Sequence, residues 1–70
     1  MKTKFQARLI ILWKESKLNM KDYAKKIDVK YTTLMGWFTD KVDPRASSVA
    51  HVARMTNVSA DWLLGLSEMR

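Results

Sequence analysis

Between Met20 and Asp40 the apolar residues fall at a spacing that few folds accommodate. Tyr23, Ala24 and Ile27 stand at i, i+1 and i+4, Val29 follows, and Leu34 and Trp37 resume three apart. The first three make one buried stripe on a short helix. Ala24 is small, so another helix can approach closely there. Val29 lies just past the end of the stripe and can plug a corner. With an advance of about 100° per residue, Tyr31 to Thr39 forms a second helix on which Leu34 and Trp37 share one side. The pattern predicts two helices crossing steeply over a short turn, a helix-turn-helix.

The opposite side of the second helix gathers Tyr31, Thr32, Met35, Gly36 and Thr39. These side chains are polar, small or soft, which suits a face that reads a DNA major groove. Thr and Tyr hydroxyls can donate to or accept from base edges, and Met and the Thr methyl can meet a thymine methyl. Gly36 inside a helix costs roughly 1 kcal/mol relative to Ala. It either lets the backbone approach DNA closely or relieves crowding beside Trp37 and Phe38.

The rest of the chain reads as support for that helix. Phe5 to about Ser16 is a first helix with Phe5, Leu9 and Leu12 in a core stripe and Trp13 at its edge. Ile10 and Ile11 point away from the stripe, either under a neighbouring helix or into an exposed patch. Lys17-Leu18-Asn19 connects to the second helix, with Asn19 as its N-cap. Asp22 suits the positive end of that helix, and Lys25 and Lys26 the other end. Lys30 stands where Ser or Thr would be the usual cap of the third helix, so Thr32 or Thr33 is an alternative cap that would shift its start. Thr39 to Asp43 is a polar loop, and Pro44 favours a helix start after it. Ser47 and Ser48 stand at that start, where Ser is common as a cap. Ala46 to about Asn57 forms a fourth helix with Val49, Val52, Ala53 and Thr56 inward. Ser59 caps a last helix that Gly65 ends, and Trp62, Leu63 and Leu66 close the core.

Taken in order, these features resemble the DNA-binding domain of the lambda-type phage repressors and Cro proteins, the XRE-like helix-turn-helix family. The resemblance rests on the Met20–Asp40 motif, on Leu9 and Leu12 before it, and on Pro44, Val52-Ala53 and the closing VSADWLLG, Val58 to Gly65, after it. It spans about Phe5 to Leu66 and implies an all-α fold, one five-helix domain over residues 1–70. It also implies that Tyr31 and Thr32, then Met35 and Gly36 one turn later, read bases. Two positions depart from the family pattern. Asp28 stands where the family usually has Gly in the turn, and Asp tolerates a left-handed backbone better than most residues. Gly36 stands where the family often has a base-reading side chain.

A third departure concerns an Arg in the first helix and a Glu late in the recognition helix, which commonly pair in the family. The matching positions are Trp13 and Phe38. Replacing both members of a buried ion pair by apolar groups can be neutral or stabilising, whereas losing one is costly. Contact between Trp13 and Phe38, clamping the third helix to the first, is therefore expected; the rival reading makes each simply core.

The expected mechanism places the start of the Tyr31–Thr39 helix in the groove, with Lys21, Lys30, Thr39 and Lys41 on phosphates. Phosphate contacts set the register and base contacts choose the site. The family dimerises on palindromic sites with half-sites about one helical turn apart, which implies a weak homodimer here through Leu63, Leu64, Leu66 and Met69. The chain is either a complete small regulator, most simply a repressor, or the front of a longer repressor.

Composition narrows the alternatives. Seventy residues make one domain with a modest core, and without cysteine no disulfide supports it and no thiolate metal site exists. A reducing cytoplasm fits that usage. The net charge of +6 lies entirely in the first 30 residues, which hold nine Lys or Arg against three acids, while the remainder balances four against four. Such asymmetry favours a polyanion, or simply a solvated Lys-rich face. No stretch approaches the roughly 18 apolar residues of a membrane span, and Arg8, Lys14 and Glu15 interrupt the run after MKTKF that a signal peptide would need. His51 is the single histidine and has no acid at ligand spacing, so neither a metal nor another cofactor is expected. No nucleophile, base and orienter stand together and no Gly-rich phosphate loop is present, so the chain does not read as an enzyme. Stacking of Trp13, Trp37 and Trp62 on single-stranded bases is less consistent with their apolar stripes than core packing. Two other functions stay open: the antitoxin half of a toxin–antitoxin pair, a protein-interaction module, and a membrane-surface peptide. The first helix, whose stripe matches a core, argues against the second.

Overall fold

The computed structural model describes residues 3–39 and 44–70, and these carry five α-helices without a strand. The helices are α1 (Lys4–Ser16), α2 (Met20–Lys26), α3 (Tyr31–Thr39), α4 (Ala46–Thr56) and α5 (Ala60–Leu64). None is long and apolar enough to cross a membrane.

Local chemistry explains most helix ends. Thr3 opens α1 with a capping box: its hydroxyl accepts the Gln6 N–H, and the Gln6 side chain accepts the Thr3 N–H. Asn19 and Ser59 cap α2 and α5 by accepting the N–H groups of Asp22 and Trp62. The α3 start differs from the alternative offered by Thr32 and Thr33, since both lie inside the helix. The Lys30 carbonyl accepts the Leu34 N–H at 3.0 Å, so α3 begins at Tyr31 without a side-chain cap from either threonine. Ser47 and Ser48 are not caps either. Arg45 holds the N-cap position of α4 and makes no side-chain cap bond.

Left-handed residues end the helices where the chain turns. Lys17, Asp28, Asn57 and Gly65 all have φ between 57° and 80°. At Asp28 the Asp28 N–H donates to the Lys25 carbonyl and the Val29 N–H to the Ala24 carbonyl, the bond pair of a Schellman turn. Val29 then folds back against the core, so the corner plug read from the sequence is a consequence of the αL residue before it.

The core contains Phe5, Leu9 and Leu12 of α1, Tyr23 and Ala24 of α2, Ile27, Leu34 of α3, Val49 and Val52 of α4, and Trp62 and Leu63 of α5. α1 is the hub: it packs against α2, α3 and α5, while α4 packs against α5 and α2 against α3. Fully burying a side chain such as Leu9 or Leu34 contributes roughly 1.5–3 kcal/mol. Leu66 was expected in this core but is 75% exposed. Its N–H closes α5 on the Asp61 carbonyl, and the left-handed Gly65 before it turns the side chain outward. Ile11 is exposed and Ile10 half-buried.

Two backbone predictions follow from the αL positions. A Cβ on Gly65 would meet Lys4 Cγ at 2.7 Å and Lys4 Cβ at 2.9 Å, on top of a φ of 80°. Gly65→Ala should therefore lower stability by about 1–2 kcal/mol from the backbone conformation, with the overlap adding to it, measured as a fall in the urea midpoint. Lys17→Gly should move the midpoint the other way. Relief of left-handed strain exceeds the extra entropy of an unfolded glycine by about 0.5–1 kcal/mol.

Candidate functional site

A surface helix that presents polar groups must be held by its other face, and α3 is held at three points. Leu34 is fully buried. Near the C-terminal end, the Gln6 Nε2 donates to the Trp37 carbonyl at 2.6 Å, while Phe5 meets the Trp37 ring edge-on at 5.5 Å between centroids and 88°. Trp13 stacks on Phe38 at 5.3 Å with 28° between the planes. The contact expected between these two aromatics is thus present, and it joins α1 to the last turn of α3. The indole N–H of Trp13 is satisfied by the Leu18 carbonyl at 2.8 Å, so its half-buried ring leaves no orphaned donor. Gln6 was not among the residues expected to hold α3. Its capping-box position was a legible signal, but its bond to Trp37 was not.

The opposite face of α3 is open. Tyr31, Thr32 and Thr33 are exposed, Met35 and Gly36 are half-buried, and Thr39 is exposed at the end of the helix. The Thr39 hydroxyl donates to the Met35 carbonyl at 2.9 Å, which leaves its oxygen free to accept. Thr33 belongs with this set on exposure although the helical wheel did not group it there. Of the four residues expected on phosphates, Lys21 and Lys30 are exposed beside the start of α3. Lys21 Nζ lies 5.8 Å from the Tyr31 ring centroid, so α2 and α3 bring one expected phosphate contact and one expected base contact together. Lys41 lies outside the described residues.

A groove of about 300 Å³ runs between α3 and α4, lined by residues that include Lys30, Thr33, Ser47, Ser48 and His51. His51 reaches across it to the α2–α3 turn, with Nε2 at 2.9 Å from the Ile27 carbonyl and 3.1 Å from that of Asp28. The sequence placed His51 on α4 without a partner, since nothing within α4 reveals a carbonyl 24 residues away.

Charge perturbation is concentrated elsewhere. Hydrogen bonding to Arg70 holds the Glu15 carboxyl below the ordinary carboxylate range, and the same bonds raise Arg70. Burial, and then the Glu15 charge, push the Tyr23 phenol up. None of these groups belongs to α3 or its turn. Among the described residues, no group of three or more His, Cys, Asp or Glu side chains could hold a metal ion. The open face and its surroundings present hydroxyls, a thioether and ammonium groups.

The expected dimer surface is partly rearranged. Leu63 is fully buried and has no surface to offer, whereas Leu64, Leu66 and Met69 are 44%, 75% and 80% exposed. No family model, curated protein or solved structure matches the chain.

The Trp13–Phe38 stack can be measured directly. A double-mutant cycle with Trp13→Ala and Phe38→Ala should give a coupling energy of about 0.5–1.5 kcal/mol, the range for aromatic pairs. Coupling near zero in urea titrations would mean that each ring packs independently of the other.

Proposed function

We propose that this chain is a sequence-specific double-stranded DNA-binding regulator, a repressor of the lambda-type repressor and Cro kind, with α3 in the major groove. The observation that carries the proposal is the division of α3 into two faces. Leu34, Trp37 and Phe38 tie one face to the core, while Tyr31, Thr32 and Thr33 stand exposed at its start beside Lys21 and Lys30. The strong positive charge of the first 30 residues supports the same reading.

In this mechanism Tyr31 and Thr32 contact base edges, and Met35 and the backbone at Gly36 lie one turn further along the groove. Lys21, Lys30, Thr39 and Lys41 hold phosphates. Neutralised phosphates supply affinity that falls as salt rises, and base contacts supply preference. A weak homodimer through Leu64, Leu66 and Met69 would place two such helices on a palindromic operator. The same exposed apolar residues also suit a protein partner, which is the observation that favours an antitoxin-like module as the second reading.

Selection from a random duplex library at near-physiological salt tests the proposal, and a two-fold symmetric motif is expected to enrich. Binding without enrichment that vanishes as salt rises would reduce the activity to non-specific polyanion binding. On the selected duplex, Thr32→Ala should cost on the order of 1–3 kcal/mol and relax preference at one position. Lys21→Ala should weaken all duplexes alike and lower the salt slope by about one unit. Unchanged affinity and preference in Thr32→Ala would mean that α3 does not read the bases.

A further inference from the structure

The tie between His51 and the α2–α3 turn constrains more than packing. A carbonyl oxygen can only accept, so a ring nitrogen close to two of them must carry a hydrogen. His51 Nε2 at 2.9 Å from the Ile27 oxygen and 3.1 Å from the Asp28 oxygen is therefore the protonated nitrogen, donating to both. The neutral ring holds its hydrogen on Nε2.

The two acceptors are the residues at which the chain changes direction. Ile27 closes α2, and Asp28 is the left-handed residue with φ 57°. Among the described residues no backbone N–H donates to either carbonyl. The N–H groups of the turn are used in the Schellman bonds to Lys25 and Ala24, so the turn is anchored to α2 through its donors and to α4 through its acceptors. The far end of α3 is fixed by Gln6 and by the Trp13–Phe38 stack. At its near end the side chains of Tyr31, Thr32 and Thr33 are exposed, so the turn and the buried Leu34 together set where that end points.

We infer that His51 is a positioning residue for DNA reading: by holding the Ile27 and Asp28 carbonyls it sets the angle at which α3 leaves the turn. The inference rests on the proposed role of α3. Its signature is a loss of discrimination in preference to a loss of binding. Lysine contacts to phosphate tolerate a small tilt of α3, whereas a hydrogen bond to a base edge fails with a displacement near 1 Å.

The test compares the full wild-type chain with His51→Leu, which removes the donor, and His51→Gln, whose amide can replace Nε2–H. Asn57→Ala, at the left-handed C-cap of α4 and outside the proposed DNA and dimer surfaces, serves as a control that weakens the fold away from the turn. Two readouts are needed: amide exchange at Asp28 and Val29 without DNA, and the ratio of affinities for the selected duplex and a scrambled one. His51→Leu should speed exchange at the turn about tenfold and lower the ratio about tenfold, the size of one lost base contact, with the salt slope unchanged. His51→Gln should restore both, and Asn57→Ala should leave the ratio intact. If the wild type selects a duplex and His51→Leu keeps the full ratio, the positioning role is overturned while DNA reading stands. A ratio that falls equally in Asn57→Ala overturns it as well, since general destabilisation would then account for the loss. If the wild type selects no duplex, the DNA reading fails and this role fails with it, whatever the turn exchange shows.

Discussion

One buried amide joins two helix ends. Gln6 completes the capping box at the start of α1 and donates to the Trp37 carbonyl near the end of α3. A short helix cannot satisfy its own terminal groups, and a buried carbonyl without a partner costs roughly 1–3 kcal/mol. By supplying that partner from α1, Gln6 lets the end of α3 sit against the core while its outer face stays polar. The aromatic contacts of Phe5 with Trp37 and of Trp13 with Phe38 then add area around a hydrogen bond that already sets the register.

A similar device closes the other side of the molecule. The buried Arg8 guanidinium donates to the carbonyls of Trp62 and Ser67 at 2.8 and 2.7 Å, and lies 5.0 Å from the centre of the Trp62 ring. Its contact with Glu68 is longer, at 3.3 Å, and the Glu68 side chain is 90% exposed. The carbonyl bonds matter more here: charge-assisted bonds in a dry site contribute about 1.5–3 kcal/mol each, against roughly 0–1 for an exposed ion pair. Arg8 thus holds the segment after α5 chiefly through backbone, and Arg70, paired with Glu15 and 4.9 Å from the Trp62 ring centroid, extends the same strap. With no disulfide, α1 anchors both α3 and the C-terminal residues through side-chain-to-carbonyl bonds.

These anchors explain how a chain with a modest core can keep a surface helix in a defined pose. The turn before α3 contains a strained left-handed Asp28, and its geometry is supported by Schellman bonds on one side and by His51 on the other. The strain is local and the support comes from two helices, α2 and α4. The stacked aromatics Trp13 and Phe38 join α1 to the end of α3 without placing a charge in this contact.

Helix bounds, the buried stripes and the side-chain caps at Asn19 and Ser59 were legible in the sequence, because each depends on residues within one or two turns along the chain. The two-faced character of α3 was legible for the same reason: a period of 3.6 residues assigns faces without knowledge of the neighbours. The Trp13–Phe38 contact was anticipated only through the resemblance, since nothing local in the sequence joins α1 to the end of α3. Only the tertiary structure decided which carbonyls Gln6, Arg8 and His51 would bind, at separations of 31, 54 and 24 residues. It also decided that Leu66 would face outward while Leu63 disappeared into the core. A polar side chain carries no periodic signature of its partner, and an apolar residue after a left-handed glycine has no fixed face until the chain beyond it is packed.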